Sequence, residues 1–135
     1  MKRTITFLCL CTLTGCTTVG PVQKRAEQIR IPEVGFRDAA IADVIVFLVE
    51  EVNRPRPPPV SVGLIQQRDP GEETQRRQKF ASLYRLCENK TINLNGRDWS
   101  LMQLVQFAAN RADLRAEFRN DELVIVTKTG DVVMR

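Results

Sequence analysis

The sequence predicts an α+β fold in which two amphipathic helices pack on short strands, and three observations lead to this prediction. Apolar residues recur at helical spacing over residues 41–52 and again over residues 101–112. Short segments of alternating apolar and polar residues flank both stretches. The chain has 135 residues, which suits one domain better than two. We therefore expect one small domain with the order strand, helix, strand, inserted helix, strand, helix, strand, strand.

Residues 29–53 predict the first strand and the first main helix. The alternation centres on Glu33–Arg37, and Pro32 stands where the strand begins, so that its missing N–H donor does little harm. The helix follows, with Asp38 near its N-cap and Asn53 near its end. Its apolar face is broad, which predicts a helix covered on more than one side. That face contains Ile41, Val44, Ile45, Val46, Phe47, Leu48, Val49 and Val52.

Four prolines end this helix, because proline cannot continue the helical hydrogen bonds. They are Pro55, Pro57, Pro58 and Pro59. We interpret them as a stiff connection, and binding to an aromatic groove is the alternative. The connection leads to a second predicted strand, which contains Val60, Val62 and Leu64.

A charged insertion is predicted at about residues 66–90. Residues 66–79 contain no apolar side chain, and four apolar residues then follow at helical spacing. These are Phe80, Leu83, Tyr84 and Cys87. The pattern predicts one helix from about Glu72 to Glu88. We interpret the basic residues of this helix as a face exposed to solvent. The alternative is that they contact acidic lipid headgroups.

The last third of the chain predicts a strand, a helix and a hairpin. The third strand holds Ile92 and Leu94 and is expected to end at Asn95-Gly96. Ser100 with Gln103 predicts a capping box at the start of the second main helix. The apolar face of that helix contains Leu101, Leu104, Val105, Ala108 and Ala112.

Two aromatic residues and the chain end complete this part. Trp99 and Phe107 are interpreted as a hydrophobic staple and core packing rather than as a ligand platform. Asn120-Asp121 predicts the turn of a terminal hairpin whose second arm is Leu123–Val126. Residues 131–135 are expected to add a short edge strand or to fray.

The first sixteen residues have the composition of a targeting segment. A basic start precedes an uncharged apolar stretch at residues 4–13, about half of the ~20 residues that a membrane span needs. The stretch ends in Leu13-Thr14-Gly15-Cys16. This order of features resembles the signal peptide and lipobox of bacterial lipoproteins.

The lipobox resemblance implies a cleaved and lipidated protein. Residues 1–15 would be removed, with Leu13, Thr14 and Gly15 recognised at the cleavage site, and Cys16 would carry diacylglycerol and an acyl chain such as palmitate. Two or three such chains form a nearly permanent anchor, because each buried methylene contributes about 0.8 kcal/mol. An ordinary secretory signal with an incidental Cys is the alternative. Residues 16–28 are predicted to be a lipidated tether.

The lipobox resemblance also implies a location. Thr17 stands where lipoproteins retained in the inner membrane often carry Asp. This favours the inner leaflet of the outer membrane, facing the periplasm.

Composition argues against nucleic-acid binding and against catalysis. The chain has 20 Lys+Arg and 16 Asp+Glu, and two of the basic residues leave with the signal, so the mature chain is nearly neutral. There is no His, which removes the commonest general base and metal ligand. Cys87 is the only thiol left after lipidation, and we interpret it as a buried apolar residue rather than a nucleophile.

Adjacent carboxylates do not suggest a catalytic pair. Neighbours in sequence do not face a common point on a helix or a strand. Such pairs are Glu50-Glu51, Glu72-Glu73 and Asp121-Glu122. We expect no catalytic residues, no metal site and no cofactor.

Two groups of segments carry a second resemblance. In the first half they are Val34-Gly35-Phe36-Arg37-Asp38-Ala39, Ile41-Ala42-Asp43-Val44 and Phe47-Leu48. In the second half they are Thr91-Ile92-Asn93-Leu94, Ser100-Leu101, Leu104-Val105, Ala108-Ala109, Leu114 and Leu123-Val124-Ile125-Val126. Together, from about Ile31 to Thr127, they resemble the short N-terminal domain shared by secretins and TonB-dependent receptors.

This second resemblance implies a βαββαββ two-layer fold for residues 29–135 and a non-catalytic role in docking. In secretins such domains form periplasmic rings and meet secretion or pilus components, and in receptors they relay a signal to an inner-membrane regulator. The implied partners are the membrane, through Cys16, and an envelope protein such as a secretin, pilus or receptor component. The binding residues stay unknown. No pore function is expected, because the pore-forming part is not in the sequence.

A different class of function remains open beside docking. A structural lipoprotein could self-associate through the edges of exposed strands, such as Val60–Leu64 or Leu123–Val126, so a homo-oligomer is also possible.

Overall fold

A computed structural model describes residues 19–54 and 70–135, which form five helices and two small antiparallel sheets. The helices are α1 (Pro21–Gln28), α2 (Ile41–Asn53), α3 (Pro70–Lys79), α4 (Ala81–Leu86) and α5 (Leu101–Arg111). The strands are β1 (Arg30–Ala40), β2 (Thr91–Ser100), β3 (Arg115–Arg119), β4 (Glu122–Val126) and β5 (Val132–Met134). One sheet pairs β1 with β2, and the other has the order β3-β4-β5. The mixed α and β class predicted from the sequence is confirmed.

Helix α2 lies at the centre of the core. Its buried residues are Ile41, Ala42, Val44, Ile45, Val46, Leu48, Val49 and Val52. At 100° per residue these positions cover an arc of about 200°, which is far wider than the stripe of a helix packed on one side only. Helices α1 and α5 and strands β1 and β4 all contact α2. The prediction that this helix is covered on more than one side is confirmed.

Helix α5 begins as the sequence predicts. The Gln103 N–H donates to Ser100 Oγ at 3.0 Å, and the Ser100 N–H donates to Gln103 Oε1 at 2.9 Å. This reciprocal capping box satisfies two backbone donors at the start of the helix. The Leu101 N–H donates to the Ile29 carbonyl at 3.0 Å, so the start of α5 is also tied to the segment between α1 and β1.

Strand β2 is longer than predicted. Asn95-Gly96 does not end it, because Gly35 pairs with Asn95 and Val34 pairs with Gly96 in the ladder with β1. The strand continues to Ser100. An Asn-Gly dipeptide favours a turn when it is judged alone, but eleven residues of β1 offer backbone partners that keep the chain extended.

Asp38 is not the cap of α2. It lies inside β1 with a φ of 48°, next to a register shift between Phe36 and Ala39. Its N–H donates to Asn93 Oδ1 at 2.9 Å, and Asn93 Nδ2 donates to Asp38 Oδ1 at 3.1 Å. These side-chain hydrogen bonds give the Asp38 N–H a partner where the regular pairing of the strands is interrupted. Asp is among the residues that tolerate the left-handed conformation. Helix α2 begins after Ala40, without a side-chain cap.

The prediction of a tether over residues 16–28 is wrong for residues 21–28, which form α1. Pro21 occupies the first helical position, where its lack of an N–H costs nothing, and Ala26 is 1% exposed. The Asp121 carboxylate accepts hydrogen bonds from the N–H groups of Val22 at 3.1 Å and Gln23 at 3.3 Å. The cap comes from the opposite end of the sequence, so local sequence reasoning could not supply it.

The single helix predicted for Glu72–Glu88 is two helices. The break is at Phe80, which is buried and separates α3 from α4. Its predicted apolar face is confirmed, because Leu83 and Cys87 are also buried and Tyr84 packs against the core. After the break α4 buries Leu83 in the core, whereas the charged α3 has no buried residue among its described side chains and contacts α2 through the Arg76–Glu50 ion pair.

The terminal hairpin is confirmed, and β5 forms the predicted edge strand. Asn120 and Asp121 have φ values of 51° and 56°, as a tight turn between β3 and β4 requires. Strand β5 pairs with Ile125 and Val126 but stops short of Leu123. At Leu123 the Asn53 side chain supplies the hydrogen bonds that a neighbouring strand would otherwise supply. Asn53 Nδ2 donates to the Leu123 carbonyl at 3.0 Å, and the Leu123 N–H donates to Asn53 Oδ1 at 2.8 Å.

We expect Asn53→Ala to lower the free energy of unfolding by about 2 kcal/mol, because it leaves both peptide groups of the buried Leu123 without partners. Asn53→Asp should not restore stability, since its second oxygen would face the Leu123 carbonyl. Urea denaturation followed by circular dichroism measures both. Asn110→Ala, a matched change at an exposed helical position, should cost about 0.5 kcal/mol or less. Equal stability of the Asn53 and Asn110 variants would contradict this role for Asn53.

The predicted second strand, with Val60, Val62 and Leu64, lies outside the described residues. The βαββαββ order therefore stays a prediction. The other elements of that order follow each other as expected, namely β1, α2, β2, α5, β3 and β4.

Candidate functional site

The predicted lipidation and cleavage residues, Leu13, Thr14, Gly15 and Cys16, lie outside the described residues. Their role stays a prediction from the sequence. Within residues 19–54 and 70–135 the nearest described point is Val19, three positions after Cys16.

Five of the six adjacent carboxylates, all except Glu72, have separate structural partners in the described part of the chain. Glu50 pairs with Arg76 at 3.3 Å, while Asp121 caps α1. The remaining pairs are Glu51 with Arg54, Glu73 with Arg77 and Glu122 with Arg135. Among the described residues no group of three or more Cys, Asp or Glu side chains could hold a metal ion.

Cys87 is buried in the hydrophobic core of the domain. Its side chain is 4% exposed, and burial raises the pKa of its thiol, while the positive charge of Lys90 partly opposes this shift. A thiol needs a lowered pKa and access to solvent to act as a nucleophile. The environment of Cys87 favours the opposite, an unreactive neutral thiol.

We expect Cys87 to react with a maleimide at least about 100-fold more slowly in the folded protein than in urea. The raised pKa also implies a pH dependence. Burial of the neutral thiol stabilises the fold fully below the unfolded pKa, and that contribution is lost as the pH rises through the folded pKa. The free energy of unfolding should therefore fall more steeply above about pH 9 in the native chain than in Cys87→Ala. Fast labelling of the folded protein would contradict this picture.

A trough runs along the exposed side of α5. Its first part is a depression of about 470 Å³ between α5 and the end of β2, and its second is a depression of about 280 Å³ between α5, α1 and β3. Gln106 lines both depressions, so the two lie side by side along α5. We call this feature the docking trough. Its principal residues are Gln106, Phe107 and Asn110 on α5, Arg97 and Trp99 on β2, and Gln23 on α1.

Two aromatic rings form the apolar part of the docking trough. Trp99 and Phe107 meet edge to face with their ring centroids 5.5 Å apart. The indole of Trp99 also lies against the backbone of Gly96, where a Cβ would collide with Nε1. Trp99 and Phe107 are each partly exposed, so the predicted core packing is correct for one side of each ring and incomplete for the other.

Side-chain amides form the polar part of the docking trough. Gln103, Gln106 and Asn110 follow one face of α5, and each carboxamide has both donors and an acceptor. Peptide groups have the same combination, so these amides complement an extended backbone.

The acidic groups beside the docking trough already have partners. Asp98 pairs with Arg30 at 3.3 Å, and Glu117 pairs with Arg119 at 2.5 Å. Glu27 accepts a hydrogen bond from Gln23 Nε2 at 3.1 Å. The trough therefore suits a peptide segment with an apolar or aromatic side chain, and the exposed Arg97 in its lining favours a neutral or acidic segment over a basic one.

One edge of β2 adds a second possible contact. Strand β2 pairs with β1 on one side, and no strand among the described residues occupies its other side. Free backbone groups of an edge strand can bind a further strand.

No known protein family, curated protein or solved structure matches this chain. None of the helices described in residues 19–54 and 70–135 is both long and apolar enough to cross a membrane.

The sequence did not single out the docking trough. The sequence pattern indicates only a packing role for Trp99 and Phe107, and the amides of α5 carry no motif. One signal was present: the exposed face of α5 between Gln103 and Asn110 has no charged residue. That is unusual for a surface helix but is too weak to identify a site alone.

Proposed function

We propose that this chain is a lipid-anchored, non-catalytic docking module of the cell envelope. In this proposal Cys16 holds the domain on the inner leaflet of the outer membrane, and the domain binds an envelope assembly such as a secretin, pilus or receptor complex. The docking trough is the observation that carries the proposal. It offers partly exposed aromatic rings and amide side chains next to a strand edge, which are features of protein interfaces.

Two further points support the proposal. The lipobox-like sequence supports attachment to a membrane from the periplasmic side. The order of β1, α2, β2, α5, β3 and β4 agrees with the order expected from the likeness to the secretin and TonB-receptor short N-terminal domain. That likeness implies a βαββαββ arrangement, with the strand around Val60–Leu64 completing it.

The shape of the trough favours a protein partner over a small molecule. Small-molecule sites are mostly apolar cavities that enclose their ligand. The docking trough is lined by Gln103, Gln106 and Asn110, which are all exposed, and it extends over four elements, α1, β2, α5 and β3. An extended peptide or a loop of a partner fits such a surface better than a compact ligand does.

A matched pair of variants tests the proposal. Gln106→Arg/Asn110→Arg places two long cations in the docking trough, and Gln75→Arg/Gln78→Arg adds the same charge at exposed positions of α3. Each tagged, lipidated chain is crosslinked in cells, purified and analysed by mass spectrometry. We expect the trough variant to lose at least about tenfold in recovered partner, since central interface changes of 1–2 kcal/mol or more have this effect. Equal recovery with both variants would contradict a role for the trough.

Self-association is a second candidate, favoured by one observation. The predicted exposed edge at Leu123–Val126 is wrong, because β4 lies between β3 and β5 and these residues are buried. Strand β5 is instead an edge of the sheet, and Val132 on it is 48% exposed. Two copies could pair through this edge. Sedimentation of the purified mature protein distinguishes the candidates: a concentration-dependent oligomer supports self-association, and a monomer over the whole range supports docking to another protein.

A further inference from the structure

We infer that the domain stands directly on the lipid surface, with α1 next to the bilayer, instead of hanging from a tether. This inference rests on the proposed function, because it takes the lipid on Cys16 as given. It adds an orientation: one end of the domain faces the bilayer, and the opposite end points away from it.

Helix α1 is fixed to the rest of the domain at its beginning. The Asp121 carboxylate lies against Gly20, at the place that a Cβ of residue 20 would occupy, and accepts N–H groups from the first turn. Ala26 is buried in the core one turn later. Gly20 and helix α1 are therefore an integral part of the fold.

Helix α1 is also tied to the end of α2. The Arg25 guanidinium donates to the Val52 carbonyl at 2.8 Å and to the Arg54 carbonyl, and so satisfies carbonyl groups at the C-terminus of α2. Asn53 connects this same point to Leu123 at the start of β4. The beginning of α1, the end of α2 and the turn between β3 and β4 thus lie together, and we call them the anchor end.

The link from the lipid to the anchor end is short. Cys16 precedes Pro21 by five residues, which span at most about 18 Å even when fully extended. A domain of about 100 residues has a radius of gyration of about 13 Å and hence a diameter of roughly 34 Å. The link is shorter than the domain is wide, so the anchor end stays on the membrane side whatever path the linking residues take.

The opposite end of the domain is also defined. The Ile41 N–H, at the start of α2, donates to the Lys90 carbonyl at 3.1 Å. The turn after α4 therefore lies at the beginning of α2, while Arg25 lies at its end. The thirteen residues of α2 separate these two points by roughly 18 Å.

A lipid surface fits what the anchor end exposes. Val19, the first described residue, is 51% exposed although it is apolar. It lies between Cys16 and α1, where an aliphatic side chain can enter the interfacial region of the bilayer. Because Gln23 and Glu27 of α1 line the docking trough, the trough begins near the membrane, and a partner would bind close to it.

Fluorescence quenching tests this orientation. The purified lipidated chain carries an environment-sensitive fluorophore at Lys24→Cys or at Glu88→Cys, both exposed positions, while the buried Cys87 stays unlabelled. The protein is inserted into phosphatidylcholine vesicles that contain a nitroxide on the lipid headgroup. We expect the probe at position 24 to be quenched at least about twofold more than the probe at position 88, since position 24 lies on α1 at the anchor end and position 88 lies in the turn at the opposite end of α2.

The outcomes separate this inference from the proposed function. Equal quenching at the two positions, or stronger quenching at position 88, in a chain whose mass shows the lipid on Cys16 would overturn the orientation alone. A mass without lipid would overturn both. An insertion of about ten Gly and Ser residues between Thr18 and Val19 should reduce the difference between the two probes, because a longer flexible link frees the domain.

Discussion

The Cys16→Ala variant should remain at the length of the precursor and incorporate no palmitate. The lipobox-like sequence requires a thiol at this position, because no other side chain can form the thioether to diacylglycerol. The expected effect is complete loss of lipid, not a reduction. Radioactive palmitate labelling and the mass of the purified chain measure it directly.

A nearby cysteine provides the control for this prediction. Cys11 lies in the apolar stretch that would be removed, so Cys11→Ala should be cleaved and lipidated like the native chain. A labelled Cys16→Ala chain would disprove lipidation at Cys16. Cleavage of both variants without any label would favour the alternative of an ordinary secretory signal.

The second large effect is expected at Val46, in the middle of α2. Val46 is 0% exposed, and it lies at one border of the buried arc of that helix. Val46→Asp would bury a carboxylate without a partner, which should lower the free energy of unfolding by at least about 4 kcal/mol. Since small domains are stable by about 5–15 kcal/mol, this change would remove between roughly a quarter and most of the stability. Urea denaturation followed by circular dichroism measures the change.

A matched substitution separates burial from helix propensity in this experiment. Gln75→Asp places the same residue at an exposed position of α3 and should cost less than about 1 kcal/mol. Val46→Thr, which keeps the shape of valine, should give an intermediate value. A cost at position 46 no larger than that at position 75 would mean that α2 is covered on one side only.

The main helices were predictable because their signals are local and repeated. Helix α2 has eight buried residues that the helical repeat brings to one broad arc. Helix α5 has a capping box formed by Ser100 and Gln103, and the last hairpin has Asn120 and Asp121 at its turn. Each of these features depends on residues within four positions of each other.

Features that depend on distant residues were not predictable from sequence patterns. Helix α1 has few apolar residues, and its cap, Asp121, is 99 residues away from Val22. The Asn95-Gly96 dipeptide is a strong local turn signal, yet pairing with β1 keeps it in a strand. In both cases tertiary contacts decide the conformation against a weak or opposite local preference.

The same distinction applies to the candidate sites. Cys16 was identified from a motif of adjacent residues, and this remains a prediction because the motif lies outside the described residues. The docking trough depends on how α1, β2, α5 and β3 pack, and periodicity says nothing about the space between elements. Its recognition required the placement of Gln106 between two depressions that different elements form.

The structure changes the expected picture of membrane attachment. A tether up to residue 28 would have let the domain move freely and would have left its binding surface without orientation. With α1 as part of the fold, the lipid on Cys16 would hold the anchor end at the membrane and the docking trough beside it. A partner at the outer membrane would therefore meet the trough in a restricted range of orientations, which reduces the entropy lost on binding.

Photo-crosslinking from a single position of α5 shows whether the trough binds a partner in cells. A photoreactive amino acid replaces Gln106 in the lipidated chain, and the same substitution at Gln78 on α3 provides an equally exposed control. After irradiation of living cells, the crosslinked proteins are identified by mass spectrometry. We predict that position 106 captures one envelope protein, a component of a secretin, pilus or receptor complex, that position 78 does not capture. The same proteins from both positions, or only the chain itself from position 106, would contradict docking through the trough.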